Sequence, residues 1–415
     1  MTITLANREF DISKFTRRDF LSNSLRASVG LLGTGSVLSA LGCATRRPSL
    51  VPRPTRRVLA DLHCHSVIND WNRQTPLGLR FPALVWLAEK FFNRTGMEWE
   101  DCHRAGVDVI CVAHFNVFDE WLSMPTDPNP EAPVNTFRMM DQLQEQLSGP
   151  ARPYATLAKN ATMLQKLTSI PKTSADYRIA VVHTVEGGHA LGGSIDPLEQ
   201  LARRGVAMLD VTHFFSKDIA SAANSYPFFP DGNNRRPHLG LSEFGRDVIH
   251  EMERLGMIVD VTHATATAID DIIKVATRPL AVSHASSRTL SEHPYAVYDD
   301  QVQQIVSDGG IMGVIIDPYL LGNYTTASLA EKEGSLRDVV RQVLHLVKVC
   351  GTHKHVGIGS DFSGYIGAPR DMNRISQIHR LSNMLESEFG NSDVVEDIMA
   401  NNAMEFLKTN WKTGV

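Results

Sequence analysis

Two histidines two residues apart, His63 and His65, stand in the run VLADLHCHS. In an extended chain, residues two apart share a face, so both imidazoles point one way and Cys64 points the other, into packing. Imidazole and carboxylate are ligand types that suit zinc or a related divalent ion, and a catalytic site keeps a position open for water. Glu186 in IAVVHTVEGG, His263 in MIVDVTHAT and His284 in PLAVSHASS supply three more such groups. A carboxylate has two oxygens and can bridge two ions. These five residues therefore predict a two-metal hydrolytic centre, in which one ion polarises a carbonyl and both acidify a bridging water to hydroxide. Asp361 in HVGIGSDFSG is expected to take the nucleophile's proton and pass it to the leaving amine. His213 in VAMLDVTHFF is expected to donate a hydrogen bond to the developing oxyanion. The alternative for both is a partner that orients a ligand.

These residues must be brought together from across the chain. Eight runs rich in Val, Ile, Leu and Ala carry them: the six above, DVICVAHFN and GIMGVIIDP. Near-continuous apolar character is what a parallel strand covered on both faces shows. Amphipathic helices separate several of them. In LSEFGRDVIHEMERLG, Phe244, Val248, Met252 and Leu255 form one stripe, Ser242 can cap the start and Gly256 ends it. SLRDVVRQVLHLVKVCG repeats apolar residues at the same spacing. Strand and helix alternating eight times predict an α/β fold, a (β/α)8 barrel of the TIM type, with the site at the C-terminal ends of the strands. An open doubly wound sheet is the rival, but no Gly-x-Gly-x-x-Gly follows the first strand. His114 and Asp317 also stand at strand ends, as expected supporting or loop-anchoring residues. Asp210 and Asp260, three residues before His213 and His263, are expected to face away from the mouth.

The N-terminus reads differently. Arg17 and Arg18 in FTRRDFL precede the weakly apolar SVGLLGTGSVLSALG, which resembles a twin-arginine export signal. Residues 1–43 are expected to be this leader, 44–56 an Arg- and Pro-rich linker, and 57–412 the catalytic barrel. The protein is accordingly expected in the periplasm or cell envelope. Cys43 looks like a lipoprotein processing site, which would add a lipid anchor; the alternatives are an ordinary signal-peptidase site among the small residues nearby and a retained leader. Five cysteines with no Cys-x-x-Cys pair cannot form a disulfide scaffold, and a net charge of -5 argues against nucleic acid as a partner.

The runs VEGGHAL, THFF, GLSEFGRDVIHEMERLGMIVDVTHAT, AVSHASSRTL and VGIGSDFSG are similar to the membrane dipeptidase (renal dipeptidase-like) family of zinc hydrolases, within the amidohydrolase-like superfamily. The likeness runs from about Arg57 to Lys408. It implies a distorted TIM barrel, two zinc ions bridged by Glu186, ligation by His263 and His284, proton shuttling by Asp361 and a substrate-carbonyl contact from His213. Three departures stand out. His63-Cys64-His65 replaces the family's His-x-Asp. Asp361-Phe362-Ser363-Gly364 replaces Asp-Phe-Asp-Gly. His293-Pro294-Tyr295-Ala296 replaces His-Pro-Arg-Asn, whose arginine grips the dipeptide's free carboxylate. Tyr295 is therefore expected at the substrate's end, offering a hydroxyl and a flat face. Arg288 or Arg370 could replace the missing guanidinium.

The expected activity is an exported metallo-dipeptidase that cleaves a dipeptide amide bond. Two rival readings are the same centre acting on another small amide, an N-acyl amino acid or a lactone, and a non-catalytic metal-binding envelope protein. Asp361 argues against the last, which needs no proton shuttle. A homodimer is compatible with the sequence without being specified by it.

Overall fold

Eight short parallel strands, each apolar along its length, close on themselves: β1 (Ala60–Cys64), β2 (Val109–His114), β3 (Ile179–Glu186), β4 (Val206–Asp210), β5 (Ile258–Asp260), β6 (Ala281–Ala285), β7 (Ile311–Val314) and β8 (Val356–Ile358). They pair in the order β2-β1-β8-β7-β6-β5-β4-β3, and a ladder of β3 on β2 completes the barrel. A further strand, Ala155–Leu157, lies beside the start of β3, ahead of the stretch that β4 covers. This computed structural model describes residues 2–5, 8–11, 55–68, 95–116, 119–120, 128–215, 218–223, 240–322 and 334–413. The chain divides into two compact units, residues 1–52 with 72–88 and residues 53–71 with 89–415; the second is the barrel. Within the first, Thr2–Leu5 and Arg8–Asp11 pair antiparallel. Arg17, Arg18 and Cys43, on which the expected leader rests, and residues 44–54 of the expected linker lie outside the described residues. Among the described residues, no helix is long and apolar enough to cross a membrane.

The helices form where periodicity and caps place them. Glu243–Arg254 begins at Ser242, whose hydroxyl accepts the Gly245 N–H at 2.9 Å, and it buries Val248, Ile249 and Met252. Leu336–Cys350 begins at Ser335 in a capping box with Asp338, and Gly351 ends it at φ 69°. Their apolar stripes join the outward faces of the strands in one continuous core. A second core fills the barrel itself with small residues such as Ala60, Cys111, Ala180 and Ala281. The C-terminal helix Asn402–Asn410 joins it through Met404, Phe406 and Leu407, with Trp411 just beyond.

Two strands break their two-residue alternation where they carry expected ligands. From Asp61 to Cys64, three steps of β1 match two steps of β2, and from Val282 to Ala285, three steps of β6 match two of β7. Each is a β-bulge, and a bulge re-aims the side chains it contains. In β1 it lets Leu62 fill the barrel core while His63, the next residue, still reaches the mouth. In β6 it turns the Ser283 carbonyl inward. A Cβ on Gly313 or on Gly359 would stand 1.9 or 1.8 Å from that oxygen, so only glycine fits at either position. Gly359→Ala should therefore push the Ser283–His284 segment out of place. The expected cost is about 1–3 kcal/mol in urea denaturation, together with displacement of the His284 side chain. Wild-type stability and an unchanged His284 position in a crystal structure of that variant would show that the close approach does not matter.

Candidate metal centre

Glu186, the last residue of β3, is 3% exposed, and five imidazoles surround it. Its Oε1 lies 3.4 Å from His63 Nε2, 3.3 Å from His263 Nε2, and 3.5 Å from both His213 Nε2 and His284 Nε2. Its Oε2 lies 3.4 Å from His65 Nε2. The imidazoles also meet in pairs: His63 Nε2 is 3.2 Å from His65 Nε2, and His263 Nε2 is 3.2 Å from His284 Nε2. All five expected ligands and His213 thus converge, although they span more than 200 residues of sequence. Cys64 points outward into the helix-facing core.

Local backbone features aim these groups. His263 has φ 64° and Asp361 φ 56°, both in the left-handed region that residues with a Cβ seldom adopt. Such strain collects at functional sites, where the surrounding structure over-determines it. Around Asp361 that support is visible. Its N–H donates to the His63 carbonyl at 2.9 Å, and the His65 N–H donates to the Phe362 carbonyl at 2.8 Å. Asp61 adds a third tie by accepting the Ser360 N–H at 2.7 Å. The segment carrying Asp361 is thereby laced to the strand carrying His63 and His65, and Asp361 Oδ1 stands 3.2 Å from His65 Nε2.

The electrostatics follow from burial and from this crowding. Burial holds His65 and His284 below the usual imidazole range and brings His263 down to about 4, so these rings stay neutral with a lone pair to offer. Burial works against an ionised Glu186. The neighbouring His213 and His63, with hydrogen bonds from His263 and His284, outweigh it and keep the carboxylate charged. Asp361 goes the other way: burial raises its proton affinity well above the carboxylate range, and Glu186 and Asp317 add to the rise against the pull of His63 and His213. The same surroundings thus push two neighbouring carboxyls in opposite directions, Glu186 towards lower and Asp361 towards higher proton affinity.

The donor set fits divalent cations. Two Nε2 atoms 3.2 Å apart can share only one proton, yet both histidine pairs turn those atoms towards a carboxylate. Asp361 Oδ1 is buried without a hydrogen-bond partner among the described residues. Nitrogen and oxygen donors grouped as His63, His65 and Glu186, and as Glu186, His213 and His263, lie within 4.8 Å of one another in each group. Imidazole with carboxylate is the zinc-type combination.

Other expectations are placed differently. Asp210 pairs in register with both Glu186 and Asp260, so all three share the barrel's inner face; Asp210 and Asp260 do not face away. β4 and β5 end at these aspartates, so strand alternation does not carry on to His213 and His263. Burial raises both carboxyls, and for Asp210 the neighbouring Asp260 and Glu186 raise it further. His114 Nε2 lies 2.8 Å from His183 Nδ1, and Asp317 caps the turn at Pro318–Leu321. Tyr295, expected at the substrate's end, is 2% exposed. Its hydroxyl donates to the His284 carbonyl, and its ring stands edge-on to His263 at 4.8 Å. It therefore braces the two histidines. Arg288 does not replace the absent guanidinium in a buried pocket: it lies over the Tyr298 ring, which is 42% exposed. Arg370 is exposed.

One residue escaped the sequence reading altogether. Glu120, fully buried after β2, accepts from His213 Nδ1 at 2.7 Å with Oε2 and from the Phe215 N–H at 3.0 Å with Oε1. An acidic pair, Asp119-Glu120, within the aromatic run FNVFDEW was the available signal.

The bracing role of Tyr295 has a direct test. Tyr295→Phe removes the donor to a buried carbonyl and should cost about 1–3 kcal/mol of stability. The ratio of KM values for free and C-terminally amidated dipeptides should stay at its wild-type value. A KM that rises for the free-carboxylate substrates alone would return Tyr295 to substrate binding.

Two proteins of Schizosaccharomyces pombe, each named an uncharacterized dipeptidase, are 32% identical over 236 residues and 29% identical over 230 residues. These alignments take in 56% and 55% of this chain, and the chain spans about half of each relative, 53% in both cases. Among solved structures, a metallo peptidase from Rhodobacter sphaeroides, liganded with a phosphinate mimic of the dipeptide L-Ala-D-Ala, superposes with a TM-score of 0.69 at 18% identity. It covers 86% of this chain and 100% of its own. An amidohydrolase from Pseudomonas aeruginosa gives 0.60 at 18% identity, over 75% of this chain and 92% of its own. At such identities the likeness establishes the shared fold. The sequence model described as membrane dipeptidase (peptidase family M19) matches residues 73–413, and the chain belongs to that family.

Proposed function

We propose that the protein is a dipeptidase whose site holds two divalent metal ions, with zinc as the resident metal. The observation that carries this reading is the buried Glu186 carboxylate, with both oxygens turned to histidine Nε2 atoms. His63, His65, His263, His284 and Glu186 would hold the ions. Ions bound there would supply polarisation of the scissile carbonyl and acidification of water. The chain's own residues do the rest. Asp361, beside His65, takes a proton from the attacking water and returns it to the leaving amine as the carbon–nitrogen bond breaks. His213, with Nδ1 occupied by Glu120, presents Nε2 to the substrate carbonyl oxygen. A second reading keeps the centre and changes the substrate to another small amide, an N-acyl amino acid or a lactone. It is favoured by Tyr295, which offers no cation to a free carboxylate where the family's arginine is expected.

Elemental analysis separates the roles. Wild-type protein should carry two ions per chain, Glu186→Gln should lower occupancy at both sites, and His284→Ala should empty mainly one. Asp361→Asn should keep both ions while kcat falls by roughly 10²–10⁴-fold. One ion per chain, unchanged in Glu186→Gln, would contradict the shared carboxylate. We further propose export through the twin-arginine route, on the strength of Arg17-Arg18 and the weakly apolar segment after them. Replacing both arginines by lysine should leave the protein in the cytoplasmic fraction; unchanged export would exclude that route.

A further inference from the structure

We propose that Glu120 is a positioning residue that acts through His213, an inference that rests on the dipeptidase reading for its consequence in catalysis and on geometry for its substance. Both oxygens of this fully buried carboxylate are engaged at one turn of chain. Oε2 accepts from the ring nitrogen of His213 at 2.7 Å, and Oε1 accepts the backbone N–H of Phe215 at 3.0 Å. One bond fixes the rotation of the imidazole; the other fixes the backbone that carries it. Between them they leave Nε2 as the ring atom turned to Glu186, 3.5 Å from its Oε1. A flipped ring would present carbon to the site.

The requirement is for a carboxylate in particular. His213 Nδ1–H and Phe215 N–H are both donors, and two donors converging on one side chain need two acceptor oxygens. A glutamine has one acceptor oxygen and one amide donor group. It must either set its NH₂ against the His213 ring or set it against the Phe215 N–H, so one of the two bonds is lost whichever way it turns. The packing around His213 cannot make up for that loss. Phe115 and Phe214 lie against the ring at 4.2 and 3.7 Å between centroids, and these apolar faces hold its plane without distinguishing one edge from the other. Glu120 alone among these neighbours tells the Nδ1 edge of the ring from the Cδ2 edge.

Partners that orient active-site histidines are typically worth ten- to a hundredfold in activity. Glu120→Gln should accordingly lower kcat by roughly 10–100-fold, with KM within about twofold of wild type and metal content unchanged. In a His213→Ala background the same substitution should add less than about twofold, because a residue acting through His213 has nothing left to act on. Glu120→Asp keeps two acceptor oxygens and should recover part of the loss. Equal losses in both backgrounds, or wild-type kcat in Glu120→Gln, would overturn the proposal. A second readout does not depend on turnover. The proton NMR spectrum of the metal-loaded protein should show a low-field, slowly exchanging imidazole N–H that disappears in His213→Ala, since a hydrogen bond to a charged carboxylate is short and strong. Glu120→Gln should shift or abolish it. Its absence from wild type, or its persistence unchanged in Glu120→Gln, refutes the positioning role even if no dipeptide proves to be a substrate. A wild type that shows the resonance but cleaves no dipeptide would refute only the dipeptidase reading.

Discussion

A carboxylate buried at the centre of five imidazoles is the constraint to which the rest of the barrel answers. Taking an ionised Glu186 out of water is costly unless charge or hydrogen bonds compensate it. Here its compensation consists of five nitrogen atoms 3.3–3.5 Å away on four different segments of chain. Each of those segments must stop at the right level and turn its imidazole inward. The bulges in β1 and β6, the left-handed turn at His263 and the glycines facing Ser283 all meet that demand.

The two ends of the barrel divide the work. At the N-terminal end, small interior residues and the C-terminal helix make a dry apolar core. At the other end, buried histidines and carboxyls replace apolar side chains, and the backbone at Asp361 and His263 occupies conformations that cost energy. The ties from Asp361 and Asp61 across to β1 and Ser360 hold that strained segment against the histidines it serves. Proton affinities then separate within a few ångströms: Glu186 stays charged to bind, and Asp361 takes up a proton readily.

Much of this was legible in the amino-acid order. Eight apolar runs gave eight barrel strands, and Ser242 and Ser335 began the helices expected of them. The residues converging on Glu186 could be named because each stood at the end of such a run. The misreadings share one cause. Asp210 and Asp260 were referred to His213 and His263 by counting alternation through residues that lie beyond the strand ends, where alternation no longer holds. Tyr295 was placed by analogy with an arginine at the same position, yet its apolar ring finds burial against His263 more favourable than the mouth. Glu120 was invisible because its partners, His213 Nδ1 and the Phe215 N–H, lie more than 90 residues away, and no local pattern announces such a contact. Strand and helix are written in periodicities. The bracing of a site is written in long-range pairs.

The central proposal is that Glu186 lies between two bound ions, and anomalous diffraction tests it most directly. Crystals of protein purified without chelator, measured on both sides of the zinc absorption edge, should give two separate anomalous peaks. One should lie beside His63 and His65 and the other beside His263 and His284, with a Glu186 oxygen next to each. A single peak, or peaks that Glu186 does not touch, would contradict the account.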